Sequence, residues 1–415
     1  MGVGGAGCSA VYFIAKSLGY EVSGCDKEIS NFLRDEKGIQ KGHDTSHLTG
    51  INTLVYSPAI PALDPQNPEL LAAKDKGIEA MPWERFVARE FLSNKFVIAI
   101  SGTHGKSTTT AMTAAILEKA GLDPTCLVGA MVNSWGGQNY RVGKSKYFVI
   151  EADEYGEKFL EFASDIAAII NIEFDHPEYF KDLGEVRAAF EKFVQRTKKD
   201  SILITGPAIG IQNPNGKTIK AEGISLNLKL IGEFNKTNAA IAATAARQLG
   251  ILEGTIKNAL ENFSGLARRF EFKGEQKGVA VFDDYAHHPT AVLETTKAIR
   301  EKFPDKKIWL VFQPHLFTRT KALFDEFKEA FEKCPVDEII LVDIFGAREK
   351  DTGEISSSDL AKSIDGKNVK YIPDMEEAAV YLTKETSAGD IVVSMGAGDI
   401  YKLSEILLGK LEGKG

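Results

Sequence analysis

The chain has 415 residues, 43% hydrophobic and 26% charged, with a formal net charge of -8 and a pI near 5.6. That is the profile of a folded protein of two or three domains, since one core stops growing beyond about 250–300 residues. No block of like charges stands out as a nucleic-acid or anionic-membrane footprint, so an anionic ligand has to be caught by local groups.

No basic segment followed by an apolar core opens the chain, and no apolar run reaches the ~18 residues of a membrane span. A cytoplasmic location without membrane span is expected. The cysteines, Cys8, Cys25, Cys126 and Cys334, are widely separated, without a C-x-x-C pair or metal-ligand spacing. This fits a reducing compartment.

In chain order, the first block (1–94) opens on the glycine-rich turn "MGVGGAGCSA", followed by a helix ("SAVYFIAKSLG") and a strand ("YEVSGCD"). Strand and helix then alternate through "TLVYSPAI", as in a small Rossmann-like α/β unit. A turn of this kind ordinarily follows a strand, and none stands in front of it. The expectation is therefore a natural start upstream of Met1.

The second block (95–263) begins with the strand "KFVIAI", the loop "SGTHGKS" and the helix "STTTAMTAAILEKAG". Two further strands, "KYFVI" and "IAAIINI", deliver acidic residues at their carboxyl ends, where open α/β sheets bind ligands. Turns and short strands fill 201–223, and "NKTNAAIAATAARQLG" returns to helix. The third block (264–415) alternates strands ("VAVFDD", "KIWLVFQ", "EIILVDIF", "DIVVSMGAG") with helices ("TAVLETTKAIREKF", "TKALFDEFKEAFEK", "MEEAAVYLTKET"), predicting a doubly wound, mostly parallel sheet. The fold class is α/β in three domains.

Chemistry concentrates in five places. Between strand and helix, the backbone N–H groups of Gly102, Thr103, His104, Gly105 and Lys106 can face phosphate oxygens, helped by the positive helix end. Lys106 can reach β and γ phosphates, and the Ser107 hydroxyl is placed for Mg²⁺; a structural loop is the alternative. Glu151 suits a cation that takes one or two carboxylates with phosphate and water, whereas a histidine such as His176 more often fills a hydrogen-bonding role.

The motif "DDYAHHPT" packs Asp283, Asp284, Tyr285, His287 and His288 between a strand and a helix starting near Pro289; strand termination and helix capping are the alternative reading. Arg268 and Arg269 stand near a domain boundary, where a phosphate clamp would sit if they are not merely solvated. The turn Gly2, Gly4, Gly5 and Gly7, with Asp26 further on, resembles a diphosphate-binding fingerprint. A nicotinamide-dependent oxidoreductase would use that turn without needing Lys106, and a non-catalytic nucleotide-binding regulator would share the scaffold.

Taken in order, "GVGGAG", "GTHGKST", "EADE", "NIEFDH", "ARRFE", "DDYAHHPT", "FQPHLFTRT" and "MGAGD" resemble the bacterial Mur ligase family across all three blocks. The pattern is most similar to members that join L-alanine to UDP-N-acetylmuramate in peptidoglycan precursor synthesis, with the tripeptide-recycling members as alternative. The resemblance implies an N-terminal domain for the UDP sugar, a central ATPase domain and a C-terminal ligase domain. It implies ATP and Mg²⁺ as cofactors, and a monomer or weak homodimer.

Residue by residue, it implies an ATP site of Gly102 to Thr108 with Asn235, Asn238, Arg269 and Asp284. Mg²⁺ falls to Ser107, Glu151 and His176, and the UDP sugar to Gly4, Gly5, Gly7, Asp26, His43 and Ser57. The incoming amino acid falls to Tyr285, His315 and Arg319. Lys106, Glu151, His176, Arg269 and Asp284 are the implied catalytic set, with His288 a candidate base for the amine proton. Three departures stand out. Leu316 replaces an arginine common after "FQPH", the segment from Asp175 to Asn235 is short, and Phe190 occupies the position of a carbamylated lysine in some relatives, so none is expected.

Overall fold

The computed structural model describes residues 1–29, 33–34, 36–347 and 349–413. The chain forms two compact units: Met1–Ile172 with Val186–Asn227 and Thr237–Phe263, and Glu173–Glu185 with Leu228–Lys236 and Ser264–Gly415. The first two sequence blocks thus share one unit, and two short segments of the second block belong with the third.

In the first unit, the helix Ala6–Ser17 begins inside the glycine turn, earlier than the run "SAVYFIAKSLG" predicts, because extended Gly5 serves as its N-cap. β1 (Gly24–Asp26) pairs in parallel with β2 (Ile39–Lys41), and β3 (Thr53–Tyr56) with β4 (Glu79–Pro82). Only the end of "YEVSGCD" pairs as strand. Residues 1 and 2 bridge the two pairs: the Met1 ammonium donates to the Val55 carbonyl (2.7 Å), and Gly2 N–H to that of Cys25 (2.8 Å).

The central sheet comprises β5 (Phe96–Ser101), β6 (Thr125–Val132), β7 (Gln138–Arg141), β8 (Tyr147–Glu151), β9 (Ile166–Ile169), β10 (Ser201–Thr205) and β11 (Gly216–Lys220). Their order is β11-β10-β9-β5-β8-β6-β7, parallel except for β7. Central β5 is buried on both faces, which explains its unbroken apolar run. The helix Lys106–Lys119 lies on this core although it is rich in threonine. Two of its buried hydroxyls are satisfied locally, Thr110 donating to the Lys106 carbonyl and Thr113 to that of Thr109, each 2.8 Å, whereas Thr109 Oγ1 is buried without a hydrogen-bond partner among the described residues.

The N-terminal helix is tied to the same sheet. Asn139 Nδ2 donates to the Ala6 carbonyl at 2.8 Å, and Phe13 stacks on Tyr140 with ring centres 5.3 Å apart. In the short segment after β10, Asn213 Nδ2 donates to the Ser201 carbonyl and hydroxyl, and Asn215 Nδ2 to the Thr197 carbonyl. Phe190 is fully buried with its ring edge against Phe159.

The second unit holds β12 (Glu271–Gln276), β13 (Val279–Asp284), β14 (Ile308–Phe312), β15 (Glu338–Leu341), β16 (Asn368–Tyr371) and β17 (Ile391–Met395). They are ordered β12-β13-β17-β14-β15-β16, with β12 antiparallel. Apolar clusters cover both faces. The run "TKALFDEFKEAFEK" divides at Leu323 into Phe317–Ala322 and Phe324–Lys333. Leu316, just before, is buried in a left-handed conformation (φ 68°, ψ 133°). All four cysteines are buried free thiols, and among the described residues no helix is long and apolar enough to cross a membrane.

Candidate active site

The loop between β5 and the helix Lys106–Lys119 is held by its neighbours. Asn171 Oδ1 accepts from His104 N–H (2.8 Å), Asn171 Nδ2 donates back to the His104 carbonyl (3.2 Å), and Thr103 N–H donates to the Asn171 carbonyl (3.2 Å). Gly105 is left-handed (φ 84°), and a Cβ there would run into Oδ1 of buried Asn238. Glycine is thus required both for the turn and for the close approach. Ser107 and Thr108 are buried in the first helical turn.

Lys106 Nζ donates to the Gly102 carbonyl (2.8 Å) and to both carboxylate oxygens of buried Glu154 (2.8 and 3.0 Å), with Asp153 at 3.8 Å. Burial works against the ammonium, but the carboxylates of Glu154 and Asp153 outweigh it and the net displacement is upward. Lys106 is therefore a fixed charge at neutral pH. Glu154 and Asn171 lie within the quoted motifs "EADE" and "NIEFDH" but have no assigned role there, since neither belongs to the loop pattern itself.

Glu151 ends β8 beside β5. Its Oε2 accepts from Gly129 N–H at 2.6 Å, and the Ser107 hydroxyl bonds to the same carboxylate. Desolvation raises the Glu151 carboxyl from its ordinary value, partly offset by Lys106. A Cβ on Gly129 would stand 2.8 Å from Oε1, so this second glycine makes room for the carboxylate. β8 and β9 flank β5 on opposite sides and are not neighbours as strands. His176 lies beyond β9 in a left-handed loop (φ 57°). The first unit brings together Lys106, Ser107, Glu151 and Asn238; His176 and Asn235 belong to the second.

In that second unit Arg319, 2% exposed, is surrounded by polar groups. Its Nε donates to Asp175 Oδ1 at 2.9 Å, Nη1 lies 3.2 Å from His315 Nδ1, and Nη2 lies 3.3 Å from His176 Nδ1. Burial disfavours the Asp175 carboxylate, but His176 and Arg319 outweigh it and hold the carboxyl well below the usual range. His287 bonds through Nδ1 to the Tyr285 carbonyl at 2.9 Å. Desolvation first, then the Arg319 charge, pushes its pKa well below that of a free imidazole, so the ring is neutral.

Asp284 accepts from Ala286 and Phe270 N–H (2.8 and 2.7 Å), and burial raises its carboxyl against the pull of Arg269. His288 caps the helix Pro289–Lys302: Nδ1 accepts from Thr290 N–H (3.3 Å) while Nε2 meets the Phe174 carbonyl at 3.0 Å. With its acceptor nitrogen committed to the cap, the imidazole lacks the free lone pair a base needs. The adjacent arginines divide. Arg268 grips Asp283 (2.8 Å) and the Gly396 carbonyl (2.7 Å), whereas Arg269 lies over the Tyr285 ring at 5.0 Å.

At the N-terminal turn, Asp26 Oδ2 accepts from Gly4 N–H at 2.8 Å and so shapes the turn itself. Gly5 caps the helix that contains Gly7, and Ser57 N–H donates to the Met1 carbonyl (3.1 Å). His43 Nδ1 is 3.5 Å from Cys25 Sγ.

A strand-loop-helix phosphate cradle with a carboxylate at the next strand end defines a nucleotide-dependent enzyme of the α/β class. Family models match in three pieces: the Mur ligase family catalytic domain over residues 1–93, the Mur ligase middle domain over 100–222 and the Mur ligase glutamate ligase domain over 268–398. The chain belongs to the Mur ligase family, whose members are ATP-dependent.

It is 38% identical to the UDP-N-acetylmuramate–L-alanine ligase of Acetivibrio thermocellus, over 98% of this chain and 94% of that protein. Identity to the ligase of the same name from Clostridium kluyveri is 39%, over 98% and 97%. The solved UDP-N-acetylmuramate–alanine ligase of Thermotoga maritima matches with a TM-score of 0.83 at 25% identity, covering 100% of this chain and 98% of that one. A murein peptide ligase from Psychrobacter arcticus shares the fold, with a TM-score of 0.72 at 23% identity over 99% and 97%. The nicotinamide reading of the glycine turn is set aside.

Proposed function

We propose that the chain joins L-alanine to the lactyl carboxylate of UDP-N-acetylmuramate at the expense of ATP. The observation that carries this is the cradle around Lys106, Ser107 and Glu151 in a chain similar along its whole length to ligases of that activity.

A carboxylate does not acylate an amine in water. The γ-phosphoryl group of ATP is therefore transferred first to the lactyl oxygen, giving an acyl phosphate and ADP. The alanine amine then attacks the acyl carbon, and phosphate leaves as the amide forms. Lys106 and the loop amides counter the charge of the meeting anions, a contribution that is largest when the donors are already in place. Glu151 and Ser107, an oxygen-only pair held by Gly129 N–H, fit Mg²⁺, which they would hold and which would neutralise phosphate charge. Arg319, fixed by Asp175, supplies the cation for the alanine carboxylate beside Tyr285 and His315. Asn238 is assigned to the nucleotide, and the glycine turn with Asp26 to the UDP sugar.

Phosphate release from ATP, measured with UDP-N-acetylmuramate and a panel of L-amino acids and the murein tripeptide, tests the proposal. Release that depends on both the sugar nucleotide and L-alanine is the expected result. Release stimulated only by the tripeptide, or independent of the sugar nucleotide, would overturn it.

A further inference from the structure

Lys106 Nζ has more acceptors around it than protons to give. An ammonium carries three N–H groups, and four oxygens stand within reach of this one: the carbonyls of Gly102 (2.8 Å) and Thr103 (3.3 Å) and the two carboxylate oxygens of Glu154 (3.0 and 2.8 Å). The two carbonyls belong to the loop itself and fix where the nitrogen sits. Glu154 comes from outside the loop, immediately before the turn Tyr155–Glu161, and its side chain is 2% exposed.

We infer that Glu154 takes the place of a phosphate oxygen on Lys106 and is displaced from it when ATP binds, so that this carboxylate sets how tightly the nucleotide is held. A phosphate-loop lysine reaches the β and γ phosphates. Here that arm of the ammonium is taken by a group with the same sign of charge and the same kind of acceptor atom. Two anions on one ammonium repel each other strongly where water screens them poorly, so phosphate and Glu154 compete for Lys106. The carbonyl bonds survive the exchange, and the nitrogen keeps its position while one anion replaces the other. The inference rests on the reading of Lys106 as the phosphate lysine.

The surroundings suit a carboxylate that can leave. Its bonds to Lys106 are made by the carboxylate alone, so rotation of the Glu154 side chain frees the ammonium without moving β8. A buried carboxylate that loses its partner needs another cation nearby. Lys158, in the turn that Glu154 precedes, lies 3.6 Å from Asp153, which is itself 3.8 Å from Lys106 Nζ. A second ammonium therefore stands beside the acidic pair.

The test measures, by calorimetry on the full chain with Mg²⁺ present, the binding of a non-hydrolysable ATP analogue and of AMP. Glu154→Gln keeps the size of the side chain and removes its charge. The analogue should bind this variant on the order of 10-fold more tightly, the low end for a hydrogen bond to a charged group, and should raise its unfolding temperature by more than that of the unaltered chain. AMP lacks β and γ phosphates, and its affinity should stay the same. Glu154→Asp, one methylene shorter, should also gain affinity for the analogue, and it decides if the glutamine variant does not fold. Equal or weaker binding of the analogue, or a gain as large for AMP, would overturn the inference. Lys106→Ala separates it from the reading beneath it. If that variant binds the analogue as well as the unaltered chain does, Lys106 is not the phosphate lysine and both fall; weaker binding there, with no gain in Glu154→Gln, removes the competition alone.

Discussion

Replacing Lys106 with alanine removes two things together: the partner of Glu154 and the cation assigned to the triphosphate. The lysine side chain is 14% exposed and that of Glu154 2%. Deleting one member of such a pair strands the other, at a cost of about 3–5 kcal/mol in stability. Turnover should fall at least ~10²-fold, the scale of one lost transition-state donor. The two losses separate in the double variant Lys106→Ala/Glu154→Gln, where no carboxylate is stranded. Urea unfolding followed by circular dichroism should show most of the stability recovered, while ATP-dependent phosphate release stays as low as in the single variant. If turnover returns together with stability, Lys106 is a structural residue and its role with the phosphates is refuted.

Gly129→Ala places a methyl group against the Glu151 carboxylate without demanding an unusual backbone; the expected result is a higher Mg²⁺ requirement for activity at little cost in thermal stability, and an unaltered Mg²⁺ dependence would detach Glu151 from the metal. Asp175→Asn keeps the shape but not the charge that orients Arg319. The KM for L-alanine should rise about 10-fold, the low end of a charge-assisted hydrogen bond, with the KM for ATP unchanged; equal KM values for alanine would refute the positioning. His287 faces Arg319, Asp175 and His315, and its pKa is lowered in the folded state. The unfolded chain therefore binds a proton near pH 6.5 that the folded one refuses. Its contribution to stability is present above that pH and falls by up to about 1.4 kcal/mol for each pH unit below it. His287→Asn should flatten that dependence in unfolding experiments at pH 7 and pH 5.5, and an identical slope in the variant would count against it.

The pattern of this fold was legible where one physical rule governs a segment. β5 is recognisable because strands buried on both faces are unbroken apolar runs, and the helix Lys106–Lys119 because a glycine loop leads directly into it. β12, with Phe272 exposed and Gly274 inside it, carries no such signature; its existence depends on antiparallel pairing with β13. The final helix Tyr401–Glu412 likewise lies outside the elements that the sequence pattern predicts. Within the site, Lys106, Ser107 and Glu151 follow from local motifs. The groups that hold them, Glu154, Asn171 and Gly129, come from separate elements that only the sheet brings close. Two polar residues of "DDYAHHPT", Asp284 and His288, turn out to satisfy backbone donors, a role sequence cannot separate from ligand binding because both favour the same side chains in the same loop.

Leu316 sits at a pair of backbone angles that glycine alone adopts freely, a conformation worth roughly 1–3 kcal/mol of strain, yet its side chain is almost wholly inside the core. Its N–H donates to the Phe345 carbonyl, its own carbonyl accepts from Thr320, and the short helix bearing Arg319 starts at the next residue. Glycine here would relax the main chain but forfeit about 1.5–3 kcal/mol of buried leucine, leaving little net change in stability. What it would surrender is aim: the tether that fixes where the guanidinium points would become a swivel, and a protein that folds just as well could select its amino acid less sharply.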